Sequence, residues 1–87
     1  MTDIQPRIFY TRHAEDMLAE RRIERAWVER TRVEPEEVQA DAAEPDVWRA
    51  FRTIPERDGR VLRVVWRRTE DGAILAMTIY FDRSRKR

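Results

Sequence analysis

The sequence predicts an α+β fold, in which a short N-terminal strand is followed by two helices packed on one face of an antiparallel meander of three to four strands. In the first third of the chain, apolar residues recur at three- and four-residue spacing, which is typical of amphipathic helices. After Val47 the chain is rich in β-branched and aromatic residues. Asp58-Gly59 and Asp71-Gly72 interrupt that region and indicate hairpins.

Length and composition limit the function. A chain of 87 residues supports one hydrophobic core, so we expect a single domain over 1–87, with residues 1–7 and 84–87 as mobile tails. The chain has no cysteine and one histidine, which argues against a disulfide framework, a metal site or a cofactor, and favours the cytoplasm. No signal peptide or apolar run of about 20 residues is present, so we expect no membrane association.

The first two elements after the N-terminus are a strand and a helix. Ile8–Tyr10 is short and apolar and predicts an edge strand. Thr11 is a favourable N-cap residue, so a helix is predicted over 12–22. Its apolar side presents Ala14, Met17 and Leu18 to the core.

A second helix is predicted over 24–32, and a connector follows it. The expected core residues around this helix are Ile23, Ala26, Trp27 and Val33. Residues 34–46 contain six acids, two prolines and no basic residue. This composition predicts a solvated acidic connector, with one possible helical turn near Glu36–Gln39.

The second turn dipeptide predicts which residues of the last two strands lie opposite each other. If Asp71-Gly72 is a two-residue loop, Arg63 lies opposite Tyr80, and two further pairs are Val65 with Thr78 and Trp66 with Met77. One face then carries the apolar side chains that the helices would cover. These are Leu62, Val64, Trp66, Leu75, Met77, Ile79 and Phe81.

The first turn dipeptide predicts the faces of the preceding strand in the same way. Counting across Asp58-Gly59 places Phe51 and Thr53 on the core side, and Trp48, Ala50 and Arg52 on the open side. The open face would then combine Arg52, Arg63, Arg67, Thr78 and Tyr80. Arginines beside hydroxyl and aromatic groups are what single-stranded nucleic acid requires, although the outer face of a half-exposed sheet is commonly polar without any such role.

The charge distribution agrees with an anionic partner for the second half of the chain. Residues 1–46 contain 7 basic and 12 acidic side chains, whereas residues 47–87 contain 11 and 5. Of the 18 basic residues only Lys86 is a lysine. Arginine suits bidentate phosphate contacts, but a GC-rich genome produces the same bias.

Several motifs, in order, resemble a known family. The segments Tyr10-x-Arg12-His13-Ala14, Glu20-Arg21-x-Ile23, "GRVLRVVW" and "TIYFDR" resemble a family of small bacterial domains of unknown function whose opening reads H-A-x-x-R-M-x-E-R-G-I. Met17 and Arg22 depart from that opening, where Arg and Gly are common. The family is similar in turn to the RelE/ParE and BrnT toxins, within the barnase–EndoU–colicin–RelE group.

The resemblance implies a metal-independent ribonuclease toxin, or an RNA-binding domain derived from one, which would be held by a small antitoxin. It implies catalytic roles for His13, Arg63, Thr78 and Tyr80. RNA-binding roles are expected for Arg12, Arg52 and Arg67. These residue types suit attack by a 2′-hydroxyl on the adjacent phosphate, since an imidazole exchanges protons near neutral pH and arginines stabilise the charge that develops on phosphate oxygens.

Other interpretations of the same residues remain open. The alternative role of His13 is that of a local hydrogen-bonding group at the start of a helix, and the alternative for Arg12 is an ion pair with a neighbouring acid. Trp27 and Trp66 are expected core residues. The alternative function is a non-enzymatic module that forms a homodimer or binds a partner protein through the open sheet face or the Ile8–Tyr10 edge. A small-molecule enzyme is least favoured, because the chain offers no cysteine, Gly-rich loop or acid pair.

Overall fold

A computed structural model describes residues 7–85 and contains two helices and a five-stranded mixed sheet. The sheet order is β1-β5-β4-β3-β2, with β1 parallel to β5 and the other neighbours antiparallel. The predicted α+β class with an N-terminal strand is confirmed. The helices are α1 (Arg12–Arg21) and α2 (Arg25–Val33), and the strands are β1 (Ile8–Tyr10), β2 (Glu37–Ala40), β3 (Val47–Ile54), β4 (Arg60–Arg68) and β5 (Ile74–Phe81).

The start of α1 is fixed by a single threonine. The Thr11 hydroxyl accepts a hydrogen bond from the Ala14 amide (3.0 Å) and donates one to the Met77 carbonyl (3.1 Å). The Thr11 amide donates to the Ala76 carbonyl (3.0 Å). Thr11 is therefore the helix N-cap, as predicted, and also ties α1 to β5. The C-cap residue Arg22 terminates the helix, since its φ of 54° lies in the left-handed region.

The buried side of α2 differs from the prediction. Trp27, Val28 and Thr31 are buried, and Ile23 before the helix is buried too, whereas Ala26 and Val33 are exposed. Ala26 and Val33 are seven residues apart and so share one side of a helix. Trp27, Val28 and Thr31 occupy the other side, which packs on β3 and β4.

Residues 34–46 include a strand, so the expected helical turn near Glu36–Gln39 is wrong. β2 pairs antiparallel with β3. The turn between them is held by Asp41, whose carboxylate accepts from the amides of Ala43 (3.0 Å) and Glu44 (2.9 Å) and pairs with Arg49 (2.5 Å). Strand pairing satisfies the backbone of this polar segment without burying its acidic side chains.

The observed register between β3 and β4 differs from the predicted one. The side chains of β3 that face the helices are the ones that were predicted to lie on the open face. Ile54 lies opposite Arg60, because a 3₁₀ turn (Pro55–Arg57) lengthens the loop beyond Asp58-Gly59. The register is shifted by an odd number of residues, which exchanges the two faces. The helix side therefore receives Trp48, Ala50 and Arg52, while Phe51 and Thr53 lie on the open side.

The register between β4 and β5 is confirmed for half of its length. Val65 lies opposite Thr78 and Arg63 opposite Tyr80, but Trp66 lies opposite Ala76, not Met77. The loop runs from residue 69 to 73, and a β-bulge absorbs the extra residue. Beyond the bulge the alternation reverses, so Ile74 and Ala76 are buried in place of Leu75 and Met77.

The main core lies between the helices and one sheet face. Its buried members are Ala14, Leu18, Ile23, Trp27, Val28, Ile54, Leu62, Val64, Ala76, Ile79 and Phe81. Trp66 packs against this core and stacks on Trp48, with ring centroids 6.3 Å apart. We call the other face of the sheet the open face.

Replacing Thr11 should lower the stability of the domain. Thr11→Ala removes the N-cap and the bond to Met77, and we expect a loss of about 1 to 2 kcal/mol in the free energy of unfolding. Urea titration followed by circular dichroism measures the change. Thr11→Ser keeps the hydroxyl and should stay close to the unmodified chain. An equal loss in both variants would contradict the capping role.

The ion pair between Arg30 and Glu56 should make stability pH-dependent. Both guanidinium nitrogens contact the carboxylate, at 2.9 and 2.8 Å, and these bonds lower the pKa of Glu56 from 4.5 to about 2. Because the folded-state pKa is the lower one, the contribution is present above pH 4.5 and disappears as the pH falls towards about 2. The Tm advantage over Glu56→Gln should shrink across that range. A difference that does not vary with pH would count against the pair.

Candidate functional site

The open face brings together three of the four expected catalytic residues. Arg63 lies opposite Tyr80, and its guanidinium carbon is 5.2 Å from the centre of the Tyr80 ring. Thr78 lies two residues before Tyr80 on the same strand and points to the same face. A hydroxyl, a phenol and a guanidinium therefore share one surface.

Arg63 is held by neighbours of its own. Its guanidinium lies 5.7 Å from the Phe51 ring centre and 3.7 Å from an Asp82 carboxylate oxygen. Asp82 accepts hydrogen bonds from the Ser84 hydroxyl (2.5 Å) and amide (2.9 Å). The Ser84 hydroxyl bond, and then the charges of Arg63 and Arg85, hold the pKa of Asp82 below its ordinary value. Asp82 is therefore a carboxylate that fixes Arg63.

The last residue of the described chain, Arg85, covers part of the open face. The guanidinium of Arg85 lies 3.8 Å from the Phe51 ring centre, forms an ion pair with Glu37 and approaches Asp82 to 3.7 Å. Phe51 is only 3% exposed as a result. The expected tail 84–87 thus includes a residue packed on the sheet, while 86–87 and residues 1–6 of the other tail lie outside the described residues.

The three expected RNA-binding arginines do not form one cluster. Arg67 is exposed on the open face, and its neighbours on β3 and β5 are Val47 and Leu75. Arg52 lies on the helix side, where it donates to the Glu34 carbonyl (2.6 Å) after α2. The placement of Arg52 on the open face is therefore wrong, because of the shifted β3–β4 register. Arg12 is exposed and 4.0 Å from Asp16.

His13 belongs to the helix layer, not to the open face. It is the second residue of α1 and is exposed. The next residue, Ala14, is fully buried against the helix side of the sheet. His13 lies one helical turn before Met17 on the same side of α1. The edge of β5 therefore separates His13 from the cluster of Arg63, Thr78 and Tyr80.

A groove lies where α1 passes the free part of β5. β1 pairs only with Ile74–Ala76, so the later half of β5 has an unpaired edge beside α1. The groove has a volume of about 840 Å³. Its lining includes Met17, Glu20 and five arginines, together with Tyr80, Phe81, Asp82 and Ser84. We call it the arginine groove, after Arg21, Arg22, Arg57, Arg60 and Arg83.

Two of these arginines are fixed around one aromatic ring. The guanidinium carbons of Arg57 and Arg60 lie 4.9 and 4.7 Å from the Phe81 ring centre. Arg57 also donates to the carbonyls of Arg21 (3.0 Å) and Arg22 (3.3 Å) at the end of α1. These contacts place a cation at the negative end of the helix dipole. The side chains of the groove are thus partly preorganised.

The sequence contained a signal for this groove that the strand pattern alone did not reveal. Its arginines stand at chain reversals: Arg21 and Arg22 end α1, Arg57 lies in the loop before β4, Arg60 directly follows that loop, and Arg83 follows β5. The end of α1, the start of β4 and the end of β5 meet at one end of the sheet. Clusters at element ends can therefore converge even when their residues are far apart in sequence.

Comparisons with known proteins give a family but no characterised relative. Residues 10–81 match the model of a family described as Domain of unknown function (DUF4258). No curated protein and no solved structure matches the chain. Neither helix within residues 7–85 is long and apolar enough to cross a membrane.

Proposed function

The chain belongs to the DUF4258 family, and we propose that it is a RelE-like domain that binds single-stranded RNA along the arginine groove and cleaves it without a metal ion. The observation that carries this proposal is the lining of the groove. The lining contains five arginines but only two acids, Glu20 and Asp82, and it includes the rings of Tyr80 and Phe81. Phosphates require such cations, and bases stack on aromatic rings.

The geometry favours a flexible single strand over a duplex. The groove runs between a helix and a strand edge, and it offers discrete aromatic rings in place of a broad flat surface. Single-stranded RNA can present its phosphates and unstacked bases to such a site. Tyr80 lines the groove and also lies beside Arg63 on the open face, so a strand leaving the groove over Tyr80 would meet Arg63 and Thr78.

The proposed cleavage uses His13 and Tyr80, on either side of the β5 edge, as proton-transfer groups for a phosphate that lies across that edge. The imidazole of His13 accepts the 2′-hydroxyl proton, and the 2′-oxygen attacks the adjacent phosphorus. The bond to the 5′-oxygen breaks, and that oxygen takes a proton from the Tyr80 phenol. The products are a 2′,3′-cyclic phosphate and a 5′-hydroxyl. Arg63 stabilises the charge on the phosphate oxygens during the reaction.

Removing groove charge should weaken RNA binding more than removing charge elsewhere. Arg22 and Arg83 are exposed groove residues, so Arg22→Gln/Arg83→Gln should flatten the slope of log K against log salt by about 1.4 for single-stranded RNA. Fluorescence anisotropy with a labelled oligonucleotide measures this slope. Arg7→Gln/Arg68→Gln removes the same charge from two exposed arginines that neighbour Ile74 at the far end of the sheet, and is the matched control. An equal effect of both pairs would refute the groove as the binding site.

Cleavage should depend on the two proton-transfer groups without a loss of binding. We expect His13→Ala and Tyr80→Phe each to lower the single-turnover cleavage rate by about 100-fold or more, while the affinity for RNA changes little. Products are resolved on denaturing gels in the presence of EDTA. Arg12→Gln, next to His13, controls for local charge. Unchanged cleavage in both variants would contradict the mechanism. If the unmodified chain binds RNA but does not cleave it, the domain is a toxin-derived RNA-binding domain and the proposed cleavage is wrong.

A further inference from the structure

The opposite edge of the sheet from the arginine groove is also free. β2 is the last strand in the sheet order and pairs only with β3. The Asp41 amide donates to the Val47 carbonyl (3.0 Å). The odd-numbered residues of β2 are therefore the ones whose backbone groups are directed towards β3. In an antiparallel ladder the alternate residues direct both backbone groups outwards. The amides and carbonyls of Val38 and Ala40 are therefore available to a further strand.

The side chains at this edge are apolar and accessible. Val38 and Ala40 lie opposite Ala50 and Trp48 on the helix side of the sheet. The helix layer packs on β3, β4 and β5, and Val38 remains 48% exposed. Val33, at the end of α2, is 57% exposed. A strand added beside β2 would cover Val38 with its own alternate side chains.

The charge around this edge determines what kind of strand fits. Residues 34–46 contain six acids and no basic residue. Three arginines from elsewhere in the described chain contact this segment: Arg49 at Asp41, Arg52 at the Glu34 carbonyl and Arg85 at Glu37. The segment therefore keeps an excess of negative charge. A second copy of β2 would place acids against acids, which is unfavourable in cross-strand pairs.

We propose that the free edge of β2 binds an extended, basic peptide segment of a partner protein, which adds a sixth strand to the sheet. Backbone hydrogen bonds to Val38 and Ala40 would supply the pairing, and alternate apolar side chains would pack on Val38. Arginine or lysine side chains on the segment would meet the acids of residues 34–46. This mode of recognition is strand addition to an exposed sheet edge. It is independent of RNA binding, because it uses the other edge of the sheet.

A synthetic peptide tests the proposal directly. The probe is an eight-residue peptide that alternates Arg with Val or Thr, and the first control is the same peptide methylated on the backbone nitrogens of its Val and Thr residues, which are the nitrogens that would pair with β2. Hydrogen exchange of the ¹⁵N-labelled full chain is followed by NMR with and without each peptide. The probe should slow exchange of the Val38 and Ala40 amides by about tenfold or more. The methylated peptide should leave both amides unprotected.

Variants separate strand addition from general attraction of charge. Val38→Lys should weaken probe binding by about tenfold, whereas Phe9→Lys, which makes the same kind of change on β1 at the opposite edge, should not. Phe9 is 45% exposed, so both chains should fold. The proposal would be overturned by equal binding of the methylated peptide, by protection elsewhere than β2, or by β2 protection that arises without peptide from self-association at high protein concentration.

Discussion

The burial of one sheet face under two helices determines the rest of the molecule. Leu62, Val64 and Ile79 are each no more than 1% exposed and face the helices. Because side chains alternate along a strand, this burial directs Arg63 and Tyr80 to the other face. The cationic and phenolic groups of the open face are therefore placed by the packing of their apolar neighbours, which explains why a polar cluster can be held by so small a core.

The sequence predicted the order of most elements and some of the residues that lie opposite each other on β4 and β5, because both follow from local patterns. The order of the two helices and of four of the five strands followed from apolar periodicity and residue type, and the pairing of Arg63 with Tyr80 followed from one turn dipeptide. Loop length was the quantity that local patterns did not determine. The 3₁₀ turn at Pro55–Arg57 moved Arg52 to the helix side. The acidic composition of residues 34–46 concealed β2, because a solvent-facing edge strand needs few apolar residues.

The site was harder to predict than the fold, for a related reason. The open-face residues lie on paired strands, where the register relates them. The residues of the arginine groove come from three separate chain reversals, and only the tertiary arrangement joins them. Charge is consequently separated across the sheet: the β5 edge is lined with arginines, while the β2 edge carries the acids of residues 34–46. One domain thus carries a basic region at one edge of the sheet and an acidic region at the other.

The parallel pairing of β1 with β5 has a consequence for how the domain folds. The bond from Thr11 to Met77 joins residues 66 positions apart, whereas β2 to β5 form a meander of local hairpins. Contacts distant in sequence carry a larger loop-closure cost and form more slowly. The meander, with its β2 edge, is therefore expected to form before α1 docks against β5. The arginine groove lies between those two elements, so it is complete only when folding is complete.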